Sequence, residues 1–107
     1  MTFKVVILHS ATRDLKDIKS YLIRQFSTSI WEQSYDALKQ PMRRLETQPY
    51  AGSIPEEIEK LNLSQYRQVV SGMNRIIYEI RDQIIYVHII ADTRKNLQAL
   101  LLRNLIQ

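Results

Sequence analysis

The sequence predicts an α+β fold: an N-terminal strand, an antiparallel helical hairpin, a three-stranded antiparallel meander and a C-terminal helix. Two stretches in the first half repeat apolar residues every three or four positions, which is the period of an amphipathic helix. Three short β-branched stretches in the second half are joined by only two residues each, which is hairpin spacing. A leucine-rich run closes the chain. With 107 residues, 45% of them hydrophobic and 24% charged, residues 1–107 read as a single globular domain.

Phe3–His9 (FKVVILH) is short and β-branched and reads as the first strand. Ser10 is the expected cap of the helix that follows, in which Ala11, Leu15, Ile18 and Leu22 form the apolar stripe. The pattern breaks around Phe26–Ser29. Ser29 followed by Glu32 reads as a capping box that starts the second helix, whose stripe is Trp31, Tyr35, Leu38, Met42 and Leu45. Matching stripes and a short joint predict that the two helices pair. Pro41 falls inside the second stripe, where it removes a donor and is expected to weaken or kink one turn.

Thr47–Pro55 (TQPYAGSIP) is loop, and Pro55–Lys60 is a single helical turn with proline first and acids near its positive end. The meander strands are Gln65–Ser71, Asn74–Arg81 and Ile84–Ala91. In the second of them Ile76, Tyr78 and Ile80 point one way and Arg75, Ile77, Glu79 and Arg81 the other. Ile84–Ala91 is apolar on both faces, as expected of a central strand covered on both sides. Asn96–Ile106 is the last helix, with Leu97, Leu100, Leu101 and Leu105 on its stripe. Three successive leucines, 100 to 102, exceed one packing face, so this helix is either wedged deep in the fold or offered to a partner chain.

Composition narrows the chemistry. Cysteine is absent, which excludes disulfides, thiolate metal sites and cysteine nucleophiles. Gly52 and Gly72 are the only glycines, too few for a phosphate-binding loop, and no serine stands in a nucleophile elbow. His9 and His88 would need carboxylates to complete a metal site, while Glu56, Glu57 and Glu59 fan around a short turn as a solvated acidic patch. No metal or cofactor is expected. His88 is expected to face the same way as Ile84, Tyr86 and Ile90, the setting of a core histidine rather than a base. No apolar run approaches the roughly 20 residues needed to span a bilayer, and no export signal is visible, so a cytoplasmic protein without membrane contact is expected.

Fifteen basic residues against eleven acidic ones leave a net charge of +4, which favours an anionic partner. Arg67, Arg75 and Arg94 lie on or just beyond successive meander strands. Hairpin geometry can bring all three to one side of the sheet, where guanidiniums could clamp phosphates or carboxylates.

Several phrases together resemble the ParE/RelE superfamily of bacterial toxin–antitoxin toxins. They are Ala11–Tyr21 (ATRDLKDIKSY), Leu45–Gly52 (LETQPYAG), Tyr66-Arg67, Arg75–Ile80 (RIIYEI) and Asp92–Arg94 before a leucine-bearing helix. The resemblance covers nearly the whole chain and implies a type II toxin neutralised by a cognate antitoxin, often acidic in its binding segment. RelE-like members cut mRNA on the ribosome; ParE-like members poison DNA gyrase and lack nuclease activity. Arg67, Arg75 and Arg94 match three basic residues of the RelE-type site. A further basic residue expected two places after Arg67 is Val69 here, and the last helix holds no tyrosine. Each proton-transfer partner is worth about 10²–10⁴-fold in rate, so these departures point to the ParE-like branch. The resemblance thus implies a non-enzymatic gyrase inhibitor, with Arg67, Arg75, Arg94, Leu101 and Arg103 as contacts for gyrase or antitoxin. The alternatives are an mRNA endonuclease using Arg67, Arg75 and Arg94, or an inactive relative that binds antitoxin only.

Overall fold

The computed structural model describes residues 2–106, with side chains for 2–104. The elements follow the expected order: β1 (Lys4–Ile7), α1 (His9–Gln25), α2 (Thr28–Arg44), α3 (Glu56–Glu59), β2 (Tyr66–Ser71), β3 (Asn74–Arg81), β4 (Ile84–Asp92) and α4 (Leu97–Ile106). The four strands form one sheet in the order β1-β4-β3-β2. The meander pairs antiparallel, and β1 lies parallel to β4. Strand β4 is therefore interior, as its two apolar faces require.

The first strand is shorter than its composition suggests. It ends at Ile7, Leu8 is extended, and His9 is already helical. Ser10 therefore cannot cap α1. It sits inside the first turn and its Oγ donates to the His88 carbonyl at 2.7 Å. One turn later the Asp14 carboxylate accepts from the Ile90 N–H at 3.0 Å. These bonds have one cause. Strand β1 reaches only as far as Val87 along β4, so α1 satisfies the polar backbone beyond that point. Burial pushes the Asp14 carboxyl above its ordinary range, partly offset by the Ile90 amide and by Arg103.

The cap of α2 lies two residues earlier than the Ser29–Glu32 pattern indicates. Ser27 is the extended residue, and its Oγ accepts from the Ile30 N–H at 3.2 Å. Pro41 neither ends α2 nor leaves a polar group stranded. Proline cannot donate to the Ala37 carbonyl, and Ser71 Oγ, reaching over from β2, donates there instead at 2.9 Å.

Alternation along β3 divides the apolar side chains between two cores. On one face Ile76, Tyr78, Ile85, Val87 and Ile90 pack with Ala11, Leu38, Met42 and Leu45 of the helical hairpin. On the other, Ile77, Ile89 and Ala91 pack with Ile58, Tyr66, Leu97 and Leu101. A bulge in β4 decides which side chain goes where. Ile77 pairs with Ile89 but Tyr78 pairs with Val87, leaving His88 without an opposite residue. The parity of β4 changes there. Ile90 joins the hairpin core, while His88 turns to the other face beside Tyr66, contrary to the simple alternation that would place His88 and Ile90 together. A bulge inserts one residue with no mark in the hydrophobic pattern of a strand that is apolar on both faces.

The loop before α3 is pinned by Tyr78, whose hydroxyl donates to the Pro49 carbonyl at 2.8 Å and accepts from the Gly52 N–H at 3.0 Å. Gly52 is required by this close approach: a Cβ there would lie 2.4 Å from the Gln68 carbonyl oxygen and 2.6 Å from the Tyr78 hydroxyl. Helix α4 packs through Leu97 and Leu101, with Leu100 half-buried and Leu102 59% exposed. The side chain of Leu105, expected on the same stripe, lies outside those described.

Candidate functional site

The three arginines do not share a face. Opposite residues in the β2–β3 register are Arg67 with Tyr78 and Val70 with Arg75. Arg67 therefore lies on the hairpin side with Tyr78, and Arg75 lies on the opposite side, toward α3 and α4. Arg75 pairs with Val70, three positions along β2 from Arg67, and an odd separation reverses the facing, so the expectation of a single guanidinium row fails.

Each arginine is also engaged. Arg67 Nη1 donates to the Gly52 carbonyl at 2.7 Å, and its guanidinium stacks over the Tyr50 ring with 5.0 Å to the centroid. Arg75 is buried, its side chain only 5% exposed. Its Nη1 and Nη2 each donate to a Glu57 carboxylate oxygen at 3.1 Å, and Nη2 donates to the Lys95 carbonyl at 2.8 Å. The acidic turn is therefore more than a solvated patch, because Glu57 is the buried arginine's counter-ion. That pairing holds the Glu57 carboxyl below its ordinary range. Arg94 is exposed at the end of β4. It is clipped to Asp92 by its Nε at 2.9 Å and Nη2 at 2.9 Å, and this hydrogen bonding pulls the Asp92 carboxyl well down.

Of the two candidates on α4, Leu101 is buried in the second core and Arg103 is exposed next to Leu102. Among the described residues of α4, Gln98, Ala99, Leu102 and Arg103 are exposed, while Leu101 works from within.

A larger feature went unmarked by the sequence motifs. Between the far half of the helical hairpin and the β2–β3 turn lies a groove of about 620 Å³. Ile18, Tyr21, Leu22 and Ala37 form one wall, Gly72 and Met73 the other, and Arg94 stands at its rim. The apolar lining continues onto open surface, with Phe26 63% exposed and Met73 56% exposed. Tyr21, Ile23, Phe26 and Ile30 lie off the packing stripes at the hairpin's tip, where they bury little against the sheet. Their presence off the stripe was the sequence signal for this surface. Exposed apolar side chains gathered beside a groove are the kind of surface that meets a partner or ligand.

Besides Arg75 and Glu57, the other face brings a histidine and a carboxylate within reach of each other. His88 Nε2 lies 3.0 Å from Glu79 Oε1, with Arg81 3.5 Å from the same oxygen and the Tyr66 ring edge-on to the imidazole. Among the described residues no group of three or more His, Asp or Glu is placed to hold a metal ion. Nor is any described helix long and apolar enough to cross a membrane.

Residues 5–97 match the model of a family described as the ParE toxin of the type II toxin–antitoxin system parDE. Among solved structures, the chain is similar to one from the chromosomal ParDE toxin–antitoxin system of P. aeruginosa. The TM-score is 0.71 at 12% identity, over 85% of this chain and 96% of that one. It is also similar to a chain of the RelBE2 toxin–antitoxin complex of Mycobacterium tuberculosis, with TM-score 0.58 at 16% identity, over 86% of this chain and 99% of that one. At such identities these structures establish the shared α+β fold. No curated protein sequence matches the chain.

Proposed function

This chain belongs to the ParE toxin family of type II toxin–antitoxin systems, and from that premise we propose that it arrests growth by binding and poisoning DNA gyrase and is neutralised by a cognate antitoxin. The observation that carries the reading is the dispersal of the arginines. Cleavage of RNA by attack of a ribose 2′-hydroxyl needs several groups converging on one phosphate: a base, an acid and positive charge. Here Arg67 and Arg75 occupy opposite faces, and Arg75 is committed to Glu57 and Lys95. The groove and the exposed hairpin tip, by contrast, suit binding to protein. Among the charged candidates, Arg94 and Arg103 reach solvent freely enough to meet gyrase or antitoxin, with Leu102 beside Arg103.

Pulse labelling after induction tests this reading. Thymidine incorporation is expected to fall before methionine incorporation; the reverse order would overturn it. One observation favours mRNA cleavage as a second reading: the His88–Glu79 pair at 3.0 Å, which could move a proton. Under that reading methionine incorporation fails first and His88→Ala restores it.

A further inference from the structure

Five of the ten large apolar side chains exposed among the described residues gather at one end of the molecule. They are Tyr21, Ile23, Phe26 and Ile30 on the hairpin tip and Met73 on the β2–β3 turn. Charge thins out in the same place. Residues 21–31 (YLIRQFSTSIW) hold one charged side chain, Arg24, in a chain that is 24% charged, and residues 71–74 hold none. Aromatic enrichment with loss of charge is the composition found at the centre of a protein interface. Shape adds a second observation. The groove of about 620 Å³ opens between Tyr21 and Leu22 on one wall and Gly72 and Met73 on the other. Phe26 stands beside it, 63% exposed, with its ring edge-on to Tyr21 at 6.4 Å between centroids. A projecting ring and an apolar hollow thus lie one side chain apart on the same surface.

We propose that this surface pairs two copies of the chain about a two-fold axis, with the Phe26 ring of each seated in the groove of the other. A knob beside a hollow is what an isologous contact needs, because one axis between them fills both hollows at once. Charge favours a second copy over an acidic partner. The chain carries +4, so two copies repel on average. At the tip, with Arg24 alone, that repulsion is weakest, and an acidic segment finds no row of cations to meet. At the rim of the groove Arg94 is already paired with Asp92 at 2.9 Å, which leaves Lys95 and Asp17, of opposite sign. Phe26, Tyr21 and Met73 of both copies make a small apolar centre, so the pairing is weak and reversible. It concerns the free chain and does not depend on what the chain targets.

Sedimentation velocity of the purified full chain, from micromolar to millimolar loading, reads the pairing. The mean mass is expected to rise reversibly from one chain toward two as concentration increases. Phe26→Glu carries an unpaired carboxylate into the hollow and is expected to raise the dissociation constant of the pair at least tenfold. Met73→Lys, on the facing wall, is expected to do the same. Both side chains are more than half exposed in the single chain, so the thermal midpoints are expected to stay at the parent value. Should one variant unfold, the other decides. Mixed together, the two variants are expected to regain pairing. The new carboxylate of one copy then meets the new ammonium of the other, while the second contact stays as in the parent. Leu61→Glu, 50% exposed beside α4, is expected to leave pairing unchanged. The mass of one chain at every concentration overturns the proposal and leaves the groove to a different protein. So does pairing that persists in both tip variants, pairing that Leu61→Glu abolishes equally, or a mixture of the tip variants that stays unpaired.

Discussion

Replacing Arg75 by methionine separates a structural arginine from a contacting one. The guanidinium binds Glu57 through two bonds of 3.1 Å and the Lys95 carbonyl at 2.8 Å, joining α3, the sheet and the segment before α4. A hydrogen bond to a charged group is worth about 1.5–3 kcal/mol when sheltered. The Glu57 side chain is 42% exposed, so its share is discounted for solvent screening to about 1 kcal/mol. The sheltered carbonyl bond adds about 1 kcal/mol after the desolvation relieved by removing the charge. The total is about 2 kcal/mol. For a domain near 100 residues this lowers Tm by about 8–16 °C. Differential scanning calorimetry measures the shift, and growth arrest at a temperature well below the new midpoint measures function. Arrest is expected to persist, because no partner reaches a side chain that is 5% exposed. A nearly unchanged Tm together with lost arrest would return Arg75 to the contact surface.

Gly52→Ala forces a Cβ to within 2.4 Å of a backbone oxygen, an overpacking that costs about 1–3 kcal/mol and is read as a lower urea midpoint. Leu101→Ala should lose about 2–5 kcal/mol in the same assay, whereas Leu102→Ala, at 59% exposure, should stay within about 0.5 kcal/mol. The pH dependence has a definite sign. Glu57 is held below its ordinary value of 4.5, so its contribution is present above that pH and lost as pH falls through the folded value. The Tm gap between the parent and Glu57→Gln, open at pH 7, should therefore close in acid. Asp14 behaves oppositely. Its carboxyl is raised above 3.8 by burial, so its contribution is present below that pH and fades as pH rises through the folded value. Asp14→Asn, followed by Tm against pH, should remove that fall.

The elements were legible because each writes its own period. Ala11, Leu38, Met42 and Leu45 lie in the hairpin core and Leu97 and Leu101 in the other, as their stripes indicate. What escaped depends on how elements meet. Ser10 resembles a cap, yet it answers a carbonyl on a strand 78 residues away. Ser29 and Glu32 spell a capping box, but the extended residue that caps is Ser27. Arg67 and Arg75 are separated by the facing that the register imposes, and no residue between them announces it. The bulge at His88 is equally silent. The groove was only partly legible: Tyr21 lies off the stripe, but Ile18 and Leu22, which read as packing residues, line it too.

Gyrase is the proposed target, and titration of the purified chain into a gyrase supercoiling reaction puts that proposal to the test. Loss of supercoiling with accumulation of cleaved DNA, reversed by antitoxin, is the predicted result. Full supercoiling at a large excess of a chain that still arrests growth would contradict it.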